Sequence, residues 1–111
     1  MTIKQTDTFW AKIYIAGPIA GIEQCCRDYC QKGLCVTVTP TNYIYTGGEQ
    51  TGAIIGLINY ARFPMTEEFI EESMIELGGK IMISLHQLSF SVETPKDTRY
   101  FEREDIGKKK E

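Results

Sequence analysis

Four glycines fall within ten residues of a segment otherwise rich in strand formers, and that segment limits what the chain can become. Between Thr39 and Pro64 it reads TPTNYIYTGGEQTGAIIGLINYARFP. Tyr43, Ile44, Tyr45 and Thr46 favour a pleated, half-buried strand. Gly47-Gly48-Glu49-Gln50 reads as a tight turn, because paired glycines supply the positive φ that short hairpins need. A second run, Ala53 to Tyr60, returns, and Pro64 ends the pairing. Gly52 and Gly56 interrupt this return strand. Glycine in a strand marks either local curvature or a place where a ligand or another backbone comes close, and the sequence leaves both readings open. A hairpin of this length commits the chain to a sheet.

The flanking segments say what covers that sheet. Phe9 to Ala16 alternates, with Ala11, Ile13 and Ile15 on one side and Trp10, Lys12 and Tyr14 on the other. Gly17 to Gly21 turns the chain into a helix over about 21–32. Its inward stripe is Ile22, Cys25 or Cys26, and Tyr29, and Gly33 follows as a stop. Leu34 to Thr39 is a further strand. Thr66 caps a second helix with Glu67 and Glu68 in its first turn. Ile70, Met74, Leu77, Ile81, Leu85 and Leu88 step by three or four along it. Gly78-Gly79 inside this helix predicts either a close approach to the sheet or a break. Ser89 to Thr94 and Arg99 to Arg103 are the last strands.

The order β-α-β-β-β-α-β-β predicts an α+β fold: a single, mainly antiparallel sheet of five or six strands packed with two α-helices. A chain of 111 residues holds one domain, drawn over 1–103, with a charged flexible tail at 104–111.

Charge and cysteine usage narrow the function. Twelve basic against fifteen acidic residues argues against general nucleic-acid binding. No apolar run reaches the length of a membrane span, and MTIKQTDTFW is no signal peptide, so a cytoplasmic location is expected. Cys25, Cys26, Cys30 and Cys35 form no C-x-x-C pair, and His86 is the only histidine. No metal and no cofactor are therefore expected. The thiols read as small apolar packers.

The candidate site residues come from two places. In TRYFER, period-two alternation puts Arg99, Phe101 and Arg103 on one face and Tyr100 on the inward one. Two guanidiniums around an aromatic ring suit a phosphate-bearing ligand; the plain alternative is an exposed face whose arginines pair with nearby glutamates. Asn59 and Arg62, beside Tyr60 and Phe63, form a second polar and aromatic group at the hairpin exit. Gly47 and Gly48 would let a ligand approach the backbone. No nucleophile elbow, H-E-x-x-H or P-loop is present, so no catalytic residue is named and a non-enzymatic binder is expected.

Two resemblances add to this reading. IYIAGPI, Ile13 to Ile19, resembles the first-strand motif of nucleoside 2-deoxyribosyltransferases. It implies a nucleotide-processing enzyme with Tyr14 and Gly17-Pro18 at its site, and it covers seven residues only. Over most of its length, including GLCVTVTPTNYIYTGGEQTGAIIGLINYARFP, the chain resembles small phage proteins of the first Thoeris anti-defence family. That resemblance implies a sponge that sequesters a cyclic nucleotide signal, a cyclic ADP-ribose isomer or a cyclic oligonucleotide, without degrading it. Arg99 and Arg103 would hold its phosphates. A third reading is a small adaptor that binds protein through a sheet edge. The exposed Trp10 and Tyr14 faces predict a homodimer or higher oligomer.

Overall fold

In the computed structural model, residues 1–104 are described. The elements are β1 (Trp10–Ala16), α1 (Ile19–Tyr29), β2 (Thr37–Tyr45), β3 (Gly48–Ile58), α2 (Glu67–Ser84), β4 (Ser89–Glu93) and β5 (Thr98–Glu102). The strands form one sheet in the order β2-β3-β1-β4-β5, and every neighbouring pair is antiparallel. β1 and β2 run parallel with β3 between them, so the first six elements make the split β-α-β-β-α-β arrangement of ferredoxin-like folds. The fifth strand extends the β4 edge. The expected α+β class holds, with five strands and two α-helices among the described residues.

Both helices cover one face of the sheet. Ala11, Ile13 and Ile15 of β1, Ala53, Ile55 and Leu57 of β3, and Phe90 and Val92 of β4 all point into that layer and are buried. Ile70, Met74, Leu77 and Ile81 of α2 meet them, as do Ile22, Cys26 and Tyr29 of α1. The stripe expected for α1 is thus realised with Cys26, whose thiol is pushed up to about 12 by burial. It packs as a small apolar group. Thr66 caps α2 by accepting the Phe69 N–H at 3.1 Å.

Four local readings are corrected. The strands expected at 34–39 and 43–46 are one strand, β2, which carries Pro40 opposite Ala53. β2 is an edge strand, and an edge tolerates proline because its outward backbone needs no ladder partner. The two-residue hairpin turn is Thr46-Gly47, since Tyr45 pairs with Gly48. Leu88 lies beyond the end of α2 and is exposed. Tyr100, expected inside, is 64% exposed on the uncovered face. The tail expected at 104–111 falls, after Glu104, outside the described residues.

α2 runs through Gly78-Gly79 without a break. A Cβ on Gly78 would overlap the Phe90 ring, whereas one on Gly79 would meet nothing within 4 Å. Close approach to the sheet therefore accounts for the first glycine only.

Candidate functional site

With both helices on one side, the other face of the sheet is open. The strand registers fix what stands on it. Trp10, Lys12, Tyr14 and Ala16 of β1 lie beside Ile58, Gly56, Ile54 and Gly52 of β3. On the other flank, Lys12 pairs with Glu93 and Tyr14 with Ser91. This face combines aromatic rings, hydroxyls and one half-buried carboxylate, and it contains two clefts.

The first cleft, about 330 Å³, lies at the C-terminal end of β1. Tyr14, Tyr43, Gln50, Gln87, Ser89 and Ser91 contribute to its walls. It is at the lower end of the size range for small-molecule pockets, and it offers the usual mixture of apolar wall and a few oriented polar groups. Tyr43 arises from β2 but its hydroxyl reaches across β3. It accepts the N–H of Ile15 at 3.1 Å and donates to the carbonyl of Ala53. Ile15 and Ala53 are register partners, so the phenol hydroxyl bridges the β1 and β3 backbones at this pair. Gly52 permits this, because a Cβ there would crowd both the Tyr43 ring and the Ile15 carbonyl. Burial raises the Tyr43 phenol above its ordinary value.

Tyr14 stands at the edge of the same cleft. Its hydroxyl donates to Glu93 Oε1 at 2.7 Å. That hydrogen bond, followed by burial, pushes the phenol up to about 12. The second cleft, about 340 Å³, lies towards the other end of β1, between Trp10, Lys12, Gly56 and Ile58. There Lys12 Nζ sits 5.1 Å from the Trp10 ring centroid.

The residues singled out from sequence do not gather at either cleft. Arg99 and Phe101 do share a face, but it is the helix face. Phe101 stacks on Phe90 with ring centroids 4.9 Å apart. Arg99 reaches Glu71 of α2 at 3.3 Å and Asp97 at 3.4 Å. The backbone N–H of Arg103 donates to Leu88 at 3.1 Å. Asn59 is buried and works as a clamp: its amide donates to Thr6 and to the Asp7 carbonyl, and its oxygen accepts the Met65 N–H at 2.7 Å. Arg62 is exposed in the loop before α2. Gly47, with φ 86°, and Gly48 stand at the hairpin tip. The cleft instead contains Tyr14, which the deoxyribosyltransferase resemblance pointed to, together with Tyr43, Gln50, Gln87, Ser91 and its neighbour Glu93. The outward side of the β1 and β4 alternation was the signal for Tyr14, Ser91 and Glu93. Nothing in sequence brought Tyr43 or Gln87 to them. Among the described residues no group of three metal-ligating side chains is found, and no helix is long and apolar enough to cross a membrane.

This open-faced, helix-backed sheet defines a small α+β class, and comparison with solved structures shows which known folds it resembles. A phage SAM lyase in its apo state superposes with a TM-score of 0.73 at 14% identity, over 94% of this chain and 98% of that one. A phage SAM lyase in complex with S-methyl-5'-thioadenosine gives a TM-score of 0.61 at 17% identity, over 94% and 96%. At these identities the likeness is one of fold. No protein-family model matches the sequence, and no curated protein matches it. Both structures are of an enzyme, which overturns the expectation of a non-enzymatic sponge.

Proposed function

We propose that the protein is a phage anti-defence enzyme that binds S-adenosylmethionine on the open face of its sheet and cleaves it, releasing S-methyl-5'-thioadenosine. The observation that carries this reading is the near-complete fold match to phage SAM lyase structures, one of which holds that thioether nucleoside. The chain's own cleft supports it. Tyr14 and Tyr43 offer rings for a purine, and the amides of Gln50 and Gln87 and the hydroxyl of Ser91 offer partners for its nitrogens and for ribose. The amino-acid end then runs along β1 towards Lys12, whose ammonium suits a carboxylate.

The chemistry makes modest demands on the protein. A sulfonium is its own leaving group: the bond from sulfur to the amino-acid side chain breaks, and its electron pair goes to sulfur, which departs neutral. The four-carbon fragment becomes neutral at the reacting carbon either by attack of its own carboxylate, closing a lactone, or by loss of a proton from the adjacent carbon to water, leaving a double bond. Orientation of the substrate is then the main catalytic contribution.

Loss of S-adenosylmethionine inside a host cell would starve methyl-transfer defences, so the protein acts in the host cytoplasm. It works as a homo-oligomer in this reading, because the β2–β3 hairpin carries Ile44 at 78% and Tyr45 at 54% exposure, an apolar tip suited to a second copy. Incubation of the purified protein with S-adenosylmethionine, followed by mass spectrometry, tests the activity. S-Methyl-5'-thioadenosine together with either a lactone or an unsaturated amino acid is expected. Intact substrate after prolonged incubation overturns the reading. Light scattering that shows only monomer at micromolar concentration overturns the oligomer.

A further inference from the structure

Glu93 occupies a position that the fold does not explain. It is half-buried on the open face, next to the last turn of the sheet. Its register partner on β1 is Lys12, the obvious cation to neutralise it. Yet among the described residues no ion pair joins the two, and Lys12 Nζ lies over the Trp10 ring instead. Two carboxylates of α2 are paired with cations in the usual way: Glu71 with Lys96 and Arg99, Glu76 with Lys32. Glu93 receives a neutral phenol, Tyr14, at 2.7 Å. A phenol orients a carboxylate without neutralising it as a cation would, so this group is held in place beside the open face.

Its location between the two clefts gives that charge a use. Trp10 and Tyr14 mark the two clefts and are four residues apart on one face of β1, about 13 Å at the usual rise. Glu93 stands beside Lys12, between them. A ligand laid along this line with a nucleoside at Tyr14 and a carboxylate near Lys12 brings its central atom to Glu93. In S-adenosylmethionine that atom is the sulfonium. We infer that Glu93 is the counter-charge for the sulfonium and sets selectivity for a cationic centre over the neutral thioether of S-adenosylhomocysteine, a role that rests on the function proposed above. A fixed charge in a partly dry site separates cationic from neutral isosteres far better than shape does.

Calorimetric titration with three unreactive ligands tests this. Sinefungin carries an ammonium at the sulfonium position, S-adenosylhomocysteine a neutral sulfur there, and S-methyl-5'-thioadenosine has neither charge nor amino-acid end. The wild-type protein is expected to bind sinefungin at least about tenfold more tightly than S-adenosylhomocysteine. In Glu93→Gln this preference disappears through loss of sinefungin affinity alone. Glu102→Gln is the matched control, since Glu102 also accepts a tyrosine hydroxyl on this face, from Tyr100 at 3.3 Å, and its preference should stay as in wild type. Equal loss of sinefungin and S-adenosylhomocysteine would mean that Glu93 binds the amino group common to both, and would overturn the assignment. Loss of S-methyl-5'-thioadenosine as well would make Glu93 structural, and also overturns it. A wild-type protein that binds all three without preference overturns the assignment but leaves the substrate reading standing. If it binds none of them, the substrate reading itself falls.

Discussion

The hydroxyl of Tyr43 accepts the backbone N–H of Ile15 at 3.1 Å, in the middle of the sheet. Removing the oxygen leaves the Ile15 N–H and the Ala53 carbonyl without this bridge. Each buried polar group left unmade costs about 1–3 kcal/mol. Tyr43→Phe is therefore expected to lower stability by about 1–3 kcal/mol in urea melts while keeping the ring. Unchanged stability would mean that the β1 and β3 backbones close up when the oxygen goes.

Adjacent glycines in α2 should respond in opposite directions. Gly79→Ala adds a methyl to open space and should stabilise by about 0.8–1 kcal/mol through helix propensity. Gly78→Ala drives the same methyl into Phe90 and should destabilise by about 1–3 kcal/mol. Paired thermal melts read both signs.

His86 ends α2 with φ 57°, where glycine is the usual residue. Around it the Gln87 N–H reaches the Met82 carbonyl at 2.9 Å and the His86 N–H reaches that of Ile83 at 3.4 Å, the pattern of a Schellman stop. Left-handed backbone costs a non-glycine residue about 1 kcal/mol. His86→Gly should raise the melting temperature, and a fall would show that the imidazole contributes contacts outweighing the strain.

Tyr14 supplies a pH dependence. Its phenol is raised from 10.0 to about 12, first by the Glu93 hydrogen bond. A raised pKa means that the folded state favours the protonated phenol. The stability it contributes is complete below about pH 10 and disappears as pH rises through about 12. Denaturant melts between these values should show wild type losing stability relative to Tyr14→Phe, and ultraviolet titration should show one late phenol absent from the variant. A wild-type curve parallel to the variant's would mean that the Tyr14–Glu93 bond does not persist in solution.

Sequence alone determined the class of fold, because that information is periodic and local. Alternation along β1 named Ala11, Ile13 and Ile15 as the buried side, the three-and-four spacing of Ile70, Met74, Leu77 and Ile81 named the inner stripe of α2, and Thr66 announced its start. The site was not legible in the same way. Alternation says that Arg99 and Phe101 share a face; only the sheet order and the helix layer decide that this face looks inward, so the arginine meets Glu71 and the ring meets Phe90. Tyr100 was misplaced for the same reason. Period two divides a strand into two sides but does not say which side the helices cover, and on a short amphipathic edge strand hydrophobicity does not say so either. The cleft depends on contacts between distant parts of the chain: Tyr43 crossing to Ile15, Tyr14 reaching Glu93 seventy-nine residues away, and Gln87 arriving from the end of α2. Those neighbours are set by topology, and the tertiary structure alone supplies it.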